Sequence, residues 1–527
     1  MFLSSVLCLT AAALALVMLT VEHSRRRRRH ADDAVKGLPQ RPPGPKAWPI
    51  IGNMHLLGEH SNPFIAFTAL SKKYGDIFSM VLGNTPCVIV NNYDLIKEVL
   101  ITKGSHFGGR PDFLRYHALF GGDRNNSLAL CDWSELQKTR RQVARLYCSP
   151  RFSSLHYDTL THVAGSEVDH FLDRLSSLTA ASAKTGAPAT VHIKPLIQAA
   201  CANIFAGYMC STRFSYDDDA FVKIVNLFDK IFWEINQGYA VDFLPWLAPA
   251  YRQHMDTLAK WALEIRTFIL TRIMDEHRRR LVEGADGELD QSMARDFTDA
   301  LLIQLQEDPH LEWQHIIFEL EDFLGGHSAV GNLTMLSLAA VAARPEVSAR
   351  IQAEVEMVTG GCRAVSLADR PNMPYTEATI LEALRVASSP IVPHVATQDT
   401  TIAGYQVDKG TMVFINNHEL NTGEAYWDEP AAFRPERFLQ TTKDGSTVVV
   451  KPAHFIPFST GKRTCIGYRL VQSCSFVLLA SLLQNYNVTV DPAHPVVTYT
   501  ATVALPPDTF PLAFAPRATT GAVPAPA

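Results

Sequence analysis

A ten-residue string near the C-terminus constrains the fold of this chain more than any other feature. Residues 458–467 read Phe-Ser-Thr-Gly-Lys-Arg-Thr-Cys-Ile-Gly, so that Cys465 stands between Gly461 and Gly467, with Arg463 two residues before it. Glycines allow backbone N–H groups to turn towards a sulfur atom, where they favour the thiolate. Arg463 is permanently charged and suits a carboxylate. The string therefore predicts a thiolate ligand for a haem iron, since a haem also carries two carboxylates.

An apolar run follows this string. Residues 470–483 predict a buried helix whose N-terminal dipole would face the thiolate of Cys465. The alternative is that Cys465 is an ordinary buried thiol, because unpaired cysteine is among the residues most often buried. Nothing in the string alone decides between these two interpretations.

Two charged motifs precede the cysteine string. Glu382 and Arg385 lie one helical turn apart and face the same side of a helix, which on its own indicates a solvated surface pair. Residues 435–438 read Pro-Glu-Arg-Phe and contain Arg437. In this order and spacing, the three motifs resemble those of the cytochrome P450 superfamily, and the resemblance spans about residues 38–516. It argues against the ordinary buried thiol.

The resemblance implies a mainly α fold with small β-sheets (α+β), in which haem b lies between a long distal helix and the cysteine loop. It implies that Cys465 is the axial ligand of the iron. A triad behind the haem is also implied, and it tolerates burial because every charge is paired. The implied loop residues are Phe458, Gly461 and Gly467, the propionate ligand is Arg463, and the triad is Glu382, Arg385 and Arg437.

The resemblance extends to the edge of the haem, where this chain departs twice from the usual pattern. Trp133 begins a helix in which an arginine normally follows four residues later, and here that position is Gln137. Lys138 or Arg141 could substitute for the missing arginine. His394 stands where many relatives have a propionate-binding arginine, and it can make that hydrogen bond or merely cap a strand.

Composition and charge limit the class of protein. The chain has 527 residues without a repeat or an internal linker, and we expect one large catalytic domain over residues 46–516. The formal net charge of −5 includes the basic block Arg25–Arg29, so the rest of the chain is more acidic than this total suggests. Nucleic acid is therefore not an expected partner. Nine cysteines, an odd number, suit a reducing compartment rather than a disulfide framework.

The two ends of the chain differ from its middle. Residues 1–21 are apolar and just long enough to cross a bilayer, and the basic block after them predicts that the catalytic domain faces the cytosol. Residues 22–45 predict a stop-transfer segment and a stiff proline-rich hinge, and residues 517–527 a disordered tail. A cleaved signal peptide is the main alternative for the first segment. The expected location is the endoplasmic reticulum membrane, with lipid as a partner.

Hydrophobic periodicity predicts several helices and strands. The predicted helices cover residues 132–147, 166–178, 221–233, 252–282 and 316–342. The predicted strands cover residues 77–82, 87–90, 400–407 and 412–415. Residues 242–246, Asp-Phe-Leu-Pro-Trp, predict a proline-broken loop between two helices that roof the pocket.

The distal helix is the unusual part of this sequence. Members of the superfamily usually carry a glycine pair followed by an acid and an alcohol, which relay protons to the oxygen site. Here Gly325 and Gly326 are present, but Ser328 replaces the acid and Ala329 replaces the alcohol. Alanine donates no proton, so either an ordered water carries protons or oxygen is not activated in the usual way. We expect His327 to face protein rather than the haem.

These departures also identify a narrower resemblance. Four segments resemble the Halloween enzymes of arthropod ecdysteroid synthesis, of the Spook and Spookier type; they are 321–332, 373–376, 388–396 and 409–416. The resemblance implies a sterol substrate of the 7-dehydrocholesterol type, and electrons from NADPH through a flavoprotein reductase that Lys462 could contact. The alternatives are a haem-thiolate isomerase that needs no reductase, and a haem- or sterol-binding protein without turnover.

Overall fold

A computed structural model describes residues 40–184, 187–283 and 294–517, and most of these residues are helical. The helices surround one main hydrophobic core, and the strands between them are short. The α-helices are α1 Met54–Gly58, α2 Pro63–Tyr74, α3 Tyr93–Lys97, α4 Leu114–Leu119, α5 Glu135–Cys148, α6 Leu155–Ala183, α7 Lys194–Cys210, α8 Asp219–Ile235, α9 Ala240–Phe243, α10 Arg252–Ile269, α11 Asp275–Glu283, α12 Phe297–Glu307, α13 Trp313–Gly325, α14 His327–Ala342, α15 Pro345–Thr359, α16 Pro374–Ala387, α17 Asn417–Thr422 and α18 Tyr468–Asn485.

The strands form small sheets. In the four-stranded sheet the order is β1-β2-β7-β4, with β2 parallel to β7 and the other pairs antiparallel. An antiparallel sheet has the order β10-β11-β3, and β5-β6 and β8-β9 are hairpins. The strands are β1 Ile77–Leu82, β2 Thr85–Val90, β3 Ala189–Val191, β4 His394–Val395, β5 Thr400–Ile402, β6 Tyr405–Val407, β7 Met412–Ile415, β8 Leu439–Thr441, β9 Thr447–Val449, β10 Tyr486–Val490 and β11 Leu512–Pro516.

The structure confirms the predicted balance of many helices and small sheets. The predicted buried helix at 470–483 is α18, where every residue from Leu470 to Leu483 is buried. The predicted helix at 252–282 is helical throughout, although its middle, Leu270–Met274, is a π-helix. The predicted strand at 400–407 is instead a hairpin, because Ala403 and Gly404 turn the chain with positive φ angles of 48° and 79°.

The segment predicted as a loop between the roof helices contains two short helical turns. Between α8 and α10 the chain forms α9 and a 3-10 turn at Pro245–Leu247. Asp242 is buried within this segment, whereas Trp246 is 61% exposed. The prediction of a simple proline-broken loop was therefore wrong in detail, since a hydrogen bond from the N–H of Tyr239 to Asp242 Oδ2 stabilises the first turn.

α14 lies at the centre of the main hydrophobic core. Apolar residues of α14, α7, α16 and α18 are fully buried in one cluster, among them Leu333, Met335 and Leu338. Burying α14 on most of its circumference explains why its sequence is apolar without a polar face. This arrangement fixes α14 against the elements that carry the site described below.

Some predictions concern parts of the chain that the structure does not describe. The predicted membrane anchor, most of the basic and proline-rich segment that follows it, and the C-terminal tail from residue 518 all lie outside the described residues. Among the helices of the described ranges, none combines the length and the apolar character that a membrane span requires.

Candidate active site

The cysteine string forms a tight loop that leads into α18. The N–H of Cys465 donates to the carbonyl of Phe458 over 3.0 Å, and a 3-10 turn spans Gly461–Arg463. Gly461 has a φ of +74°, and a Cβ atom there would lie 2.0 Å from the carbonyl oxygen of Leu100. Glycine is thus required at this position by both its backbone conformation and its surroundings.

Two backbone N–H groups point towards the sulfur of Cys465. Burial raises the pKa of the thiol, whereas hydrogen bonds from the N–H groups of Gly467 and Tyr468, together with the charge of Arg141, act to lower this pKa. Because α18 begins at Tyr468, these donors belong to the positive end of the helix dipole. The Cys465 side chain is exposed although protein surrounds it at depth, so it faces a recess rather than the outer surface.

Arg463 reaches from the cysteine loop towards the segments before α5. Its Nε and Nη2 donate to the carbonyl of Gly108 over 3.3 and 2.7 Å, and Nη2 also donates to the carbonyl of Cys131. Nη1 is buried and has no hydrogen-bond partner among the described residues. Buried donors without a partner are rare in folded proteins, so this nitrogen indicates an acceptor supplied by a bound group.

His394 lies at the start of β4, near Arg463. Its Nδ1 donates to the carbonyl of Phe107 over 2.7 Å, while Nε2 is buried and has no partner in the described part of the chain. Burial, followed by the charge of Arg110, holds the pKa of His394 well below its ordinary value. Nε2 becomes a donor if the ring takes up a proton, and a carboxylate placed beside it would favour that proton.

Arg110 belongs to the same group of cations, and the sequence analysis missed it. Its Nη1 donates to the carbonyls of Val392 and Pro393 over 3.0 and 3.2 Å. Burial and then the charge of Arg463 lower the pKa of Arg110 to about 9. No local motif marks Arg110, because the carbonyls that accept from its Nη1 lie almost three hundred residues away along the chain and the one that accepts from its Nε, that of Ala129, lies 19 residues away.

Arg141 is the cation that α5 contributes. Burial and then the charge of Arg463 lower the pKa of Arg141 to about 10, and its Nη2 donates to the carbonyl of Thr464 over 2.6 Å. Burial is the largest cause of the lowered pKa values of Arg110, Arg141 and Arg463, and the charge of Arg463 lowers those of Arg110 and Arg141 further. Of the two residues proposed as substitutes for Gln137, Arg141 therefore lies beside the cysteine loop.

Lys138 and Gln137 have other surroundings. Lys138 is exposed and pairs with Glu135 over 3.1 Å. Gln137 is buried and donates from Nε2 to the carbonyl of Leu128 over 2.8 Å. Trp133 lies beside the cysteine loop, with its ring centroid 5.6 Å from the Lys462 ammonium.

This donor set fits a haem. The sulfur at the head of α18 suits an iron atom, because bonding to a metal deprotonates a thiol and offsets the cost of burying the thiolate charge. The mutual repulsion of Arg110, Arg141 and Arg463 would be relieved by two carboxylates, and the unshared Nη1 of Arg463 would gain an acceptor.

Glu382, Arg385 and Arg437 form a separate buried cluster. Both carboxylate oxygens of Glu382 accept from Arg385, over 2.7 and 2.8 Å, and one also accepts from Arg437 Nε over 3.3 Å. The remaining donors of both arginines bond backbone carbonyls between Asn421 and Ala432. The structure thus pairs every charge of the expected triad and ties α16 to the segment before β8.

The distal helix is broken at Gly326, between α13 and α14. The N–H groups of Gly326 and Ala329 both donate to carbonyls three residues back, which tightens the chain at the break. A Cβ atom on Gly325 would lie 3.1 Å from the ring of Phe228, and one on Gly326 would lie 3.2 Å from Phe205. The glycine pair therefore lets α7 and α8 pack closely against the broken helix.

His327 and Ser328 face protein. His327 Nδ1 lies 2.6 Å from the carbonyl of Leu324, which can only accept, so Nδ1 carries the proton and Nε2 accepts. The Ser328 hydroxyl lies 3.5 Å from that Nε2, a long contact in which Ser328 donates. Burial lowers the pKa of His327 to about 4, so the ring is neutral near pH 7. Both side chains are buried and turned towards each other.

Ala329 is half-buried, unlike Ser328 beside it. Asp322, two turns earlier, lies on the same side of the helix, but Leu128 N–H and the Ser127 hydroxyl donate to its carboxylate over 2.6 and 3.0 Å. Ala329 has no hydroxyl, so this side of the helix offers no alcohol near the break.

A buried ion pair closes the roof. Arg115 of α4 donates to both oxygens of Asp242 over 3.0 and 3.1 Å, and to the carbonyls of Glu234 and Ile235 at the end of α8. Burial raises the pKa of Asp242, although the charge of Arg115 opposes this. The pair ties α4 to the segment between α8 and α10.

The family model described as Cytochrome P450 matches residues 42–514. Cytochrome P450 307a1 of Drosophila melanogaster is 48% identical over 495 residues, which cover 90% of this chain and 89% of that protein. Cytochrome P450 1B1 of Mus musculus is 31% identical over 464 residues, with 85% and 81% covered. Cytochrome P450 1A1 of Mesocricetus auratus is 30% identical over 475 residues, with 88% and 87% covered.

Proposed function

The chain belongs to the cytochrome P450 family of haem-thiolate monooxygenases, and we propose that it oxidises a sterol in an early step of ecdysteroid hormone synthesis. Two observations support the sterol substrate. The segments around the distal helix and β7 resemble the Spook-type Halloween enzymes, and an arthropod P450 shares 48% of its residues with this chain over most of the length of both proteins.

Cys465 is proposed as the axial ligand of the haem iron, and Arg463, Arg110, Arg141 and His394 as the groups that hold the propionates. The single observation that carries this assignment is a cluster of buried cations beside a sulfur that two N–H groups face, in which Arg463 Nη1 has no acceptor among the described residues. A haem bound there supplies the activation of molecular oxygen.

The chain's own residues around the distal helix leave proton delivery to water. The Ser328 hydroxyl donates towards His327 Nε2, and Ala329 has nothing to donate. A water held beside the half-buried Ala329 would therefore carry protons to the oxygen site. Electrons would come from NADPH through a flavoprotein reductase, with the exposed Lys462 among its contacts.

The domain is proposed to rest on the endoplasmic reticulum membrane. Trp48, Ile50 and Trp246 are 59%, 52% and 61% exposed. The segments that carry these residues both contact the β1–β2 turn. A Cβ atom on Gly52, next to Trp48 and Ile50, would lie 2.2 Å from the carbonyl of Val81. A Cβ atom on Gly83 in the turn would lie 2.1 Å from the carbonyl of Phe243, which precedes Trp246. Exposed tryptophans on neighbouring segments favour a membrane-facing surface, in addition to the anchor expected at residues 1–21.

A haem-thiolate isomerase remains a second candidate, favoured by Ala329 and by the engagement of Ser328 with His327. The two functions differ in what they consume. The test incubates the full-length enzyme with 7-dehydrocholesterol, with and without reductase and NADPH, and identifies the products by mass. An oxidised sterol that requires both additions supports the proposal. An isomer of the substrate formed without them would establish the isomerase.

A further inference from the structure

A buried polar hub lies against the distal helix. It consists of Lys194 and Gln198 of α7, Asp229 of α8 and Asn332 of α14. All four residues are at most 5% exposed. Charged groups are almost never fully buried unless they are paired, so the presence of two here requires an explanation.

Asp229 is the centre of this hub. Its Oδ2 accepts from Lys194 Nζ over 2.6 Å, and its Oδ1 accepts from Gln198 Nε2 over 2.9 Å and from Asn332 Nδ2 over 3.0 Å. A carboxylate only accepts hydrogen bonds, and here it receives donors from two other helices. A neutral amide at this position would present one acceptor oxygen and could not receive all three donors.

The hub also reaches the chain beyond β10. Lys194 Nζ donates to the carbonyls of Leu505 and Pro506 over 2.9 and 3.0 Å, and the N–H of Leu505 donates to Asn332 Oδ1 over 3.1 Å. One ion pair thus joins α7, α8, α14 and a C-terminal loop.

The hub grips the main chain of the distal helix next to its break. The carbonyl of Ser328 accepts from Asn332 Nδ2 over 2.8 Å and from Gln198 Nε2 over 3.4 Å. Gly331 makes room for this contact, because a Cβ atom there would lie 2.5 Å from Gln198 Oε1. Gly331 and Asn332 belong to the string that distinguishes this distal helix, and the hub accounts for both.

A neighbouring aromatic residue supports the same stretch. Phe228, which precedes Asp229, packs edge-on against the ring of His327 at 5.3 Å and lies against Gly325. Consecutive residues of α8 therefore contact the broken helix on both sides of Gly326. The main chain from Gly325 to Ser328 is held by its neighbours and not by an acid or alcohol of its own.

We propose that the Lys194–Asp229 ion pair is a positioning device for the distal helix, which holds the Ser328 main chain through Gln198 and Asn332 and so fixes where Ala329 faces the haem. The inference rests on the proposed function in one respect, namely that Ala329 borders the oxygen site. Asp229 and Lys194 are positioning residues, because they touch neither substrate nor haem. An ion pair that served stability alone would not need Gln198 and Asn332, which connect Asp229 to the Ser328 carbonyl.

The test uses the full-length haem-loaded enzyme and the variant Asp229→Asn. The matched control is Glu354→Gln, which removes a carboxylate of similar burial that accepts from the N–H groups of Tyr375 and Thr376. Hydrogen–deuterium exchange of backbone amides 324–332 is measured in the resting enzyme. With the reductase present, NADPH consumed, hydrogen peroxide released and sterol product formed are measured for each variant.

Asp229→Asn should speed exchange of amides 324–332 by about tenfold, as expected for the loss of one or two hydrogen bonds, and should divert NADPH from product to peroxide. Glu354→Gln should do neither. Gly331→Ala provides a second variant that displaces Gln198 without removing a charge, and it should reproduce both effects even if Asp229→Asn folds poorly.

The inference is overturned if Gly331→Ala and Asp229→Asn show the same amide exchange and the same peroxide release as Glu354→Gln. The ion pair would then only stabilise the fold. If the wild type forms no sterol product, the proposed function fails, but exchange and the ratio of peroxide to NADPH still decide the role of the ion pair. The two failures are therefore distinguishable.

Discussion

At the scale of single residues, the site depends on groups whose ordinary chemistry is altered by their surroundings. The sulfur of Cys465 lies at the first N–H groups of α18, and one nitrogen of Arg463 has no acceptor within the described part of the chain. His327 is held neutral and turned to Leu324. These three residues show how burial and hydrogen bonds, rather than residue type alone, decide which group can bind or donate.

Cys465→Ser should abolish the red-shifted carbon monoxide band of a ferrous haem with a thiolate ligand. The two N–H groups at the sulfur favour a thiolate bound to iron, whereas a serine hydroxyl in the same place stays protonated. The measurement is the reduced carbon monoxide difference spectrum. Cys362→Ser, which changes the other exposed free cysteine of the described residues, is the control and should keep the band. An unchanged band in Cys465→Ser would refute the ligand assignment.

At the scale of elements, buried ion pairs join segments that are distant along the chain. Glu382 ties α16 to the segment before β8, Arg115 ties α4 to the roof, and Asp229 ties α8 to α14. Each pair is complete within the protein, which is the condition under which buried charges are tolerated.

Glu382→Ala should lower the yield and the haem content of the protein. The change leaves Arg385 and Arg437 buried without their carboxylate, at a cost of ~3–5 kcal/mol in the free energy of unfolding. Glu436→Ala is the control, because Glu436 belongs to the same motif but pairs with Arg350 at the surface. Thermal unfolding and haem absorbance measure the effect. Normal folding with lost turnover would mean that Glu382 acts in catalysis.

The contact between α11 and α12 predicts a dependence of stability on pH. Burial lowers the pKa of His277, but the hydrogen bond from His277 Nε2 to Asp296 over 3.0 Å outweighs this and raises the pKa above its ordinary value of 6.5. Burial acts to raise the pKa of Asp296, yet His277 holds it below 3.8. His277 therefore adds fully to the free energy of unfolding below pH 6.5, and this addition is lost as the pH rises through the folded-state pKa of His277. The addition from Asp296 is present above pH 3.8 and is lost as the pH falls through the folded-state pKa of Asp296.

His277→Gln should accordingly destabilise the protein more at pH 6 than at pH 9. Urea unfolding at the two pH values measures this difference. His494→Gln, which removes an exposed histidine that pairs with Asp491, should change stability little at either pH. An equal loss at both pH values for His277→Gln would show that the charged pair does not form.

At the scale of the whole molecule, motif and periodicity predicted more of the fold than of the site's surroundings. The cysteine loop and α18 are each formed by consecutive residues, so the sequence motif and the apolar run predicted them. Arg110 could not be found in this way, because the carbonyls of Val392 and Pro393, which accept from its Nη1, follow α16 and lie far from it along the chain. The hub around Asp229 was also missed, since apolar spacing in α8 gives no sign that one polar residue faces α14. The break at Gly326 likewise depends on how closely α7 and α8 pack.

Deleting residues 1–29 should release the protein from membranes only in part. Trp48, Ile50 and Trp246 remain exposed on segments that flank the β1–β2 turn, and they add their own affinity for lipid. Trp246→Ser in the truncated protein should increase release, whereas Leu155→Ser, an exposed apolar residue of α6, should not. Flotation with lipid vesicles measures both. Full release by the deletion alone would show that this surface does not enter the membrane.

We propose that this P450 activates oxygen although its distal helix lacks the alcohol, with water beside Ala329 in its place. Ala329→Thr tests it most directly, because the new hydroxyl would anchor that water. We expect product formation by the wild type to require reductase, NADPH and oxygen. We expect Ala329→Thr to keep this activity and to release less hydrogen peroxide per NADPH consumed. Product formed by the wild type without reductase, NADPH or oxygen, with activity lost in Ala329→Thr, would contradict the account.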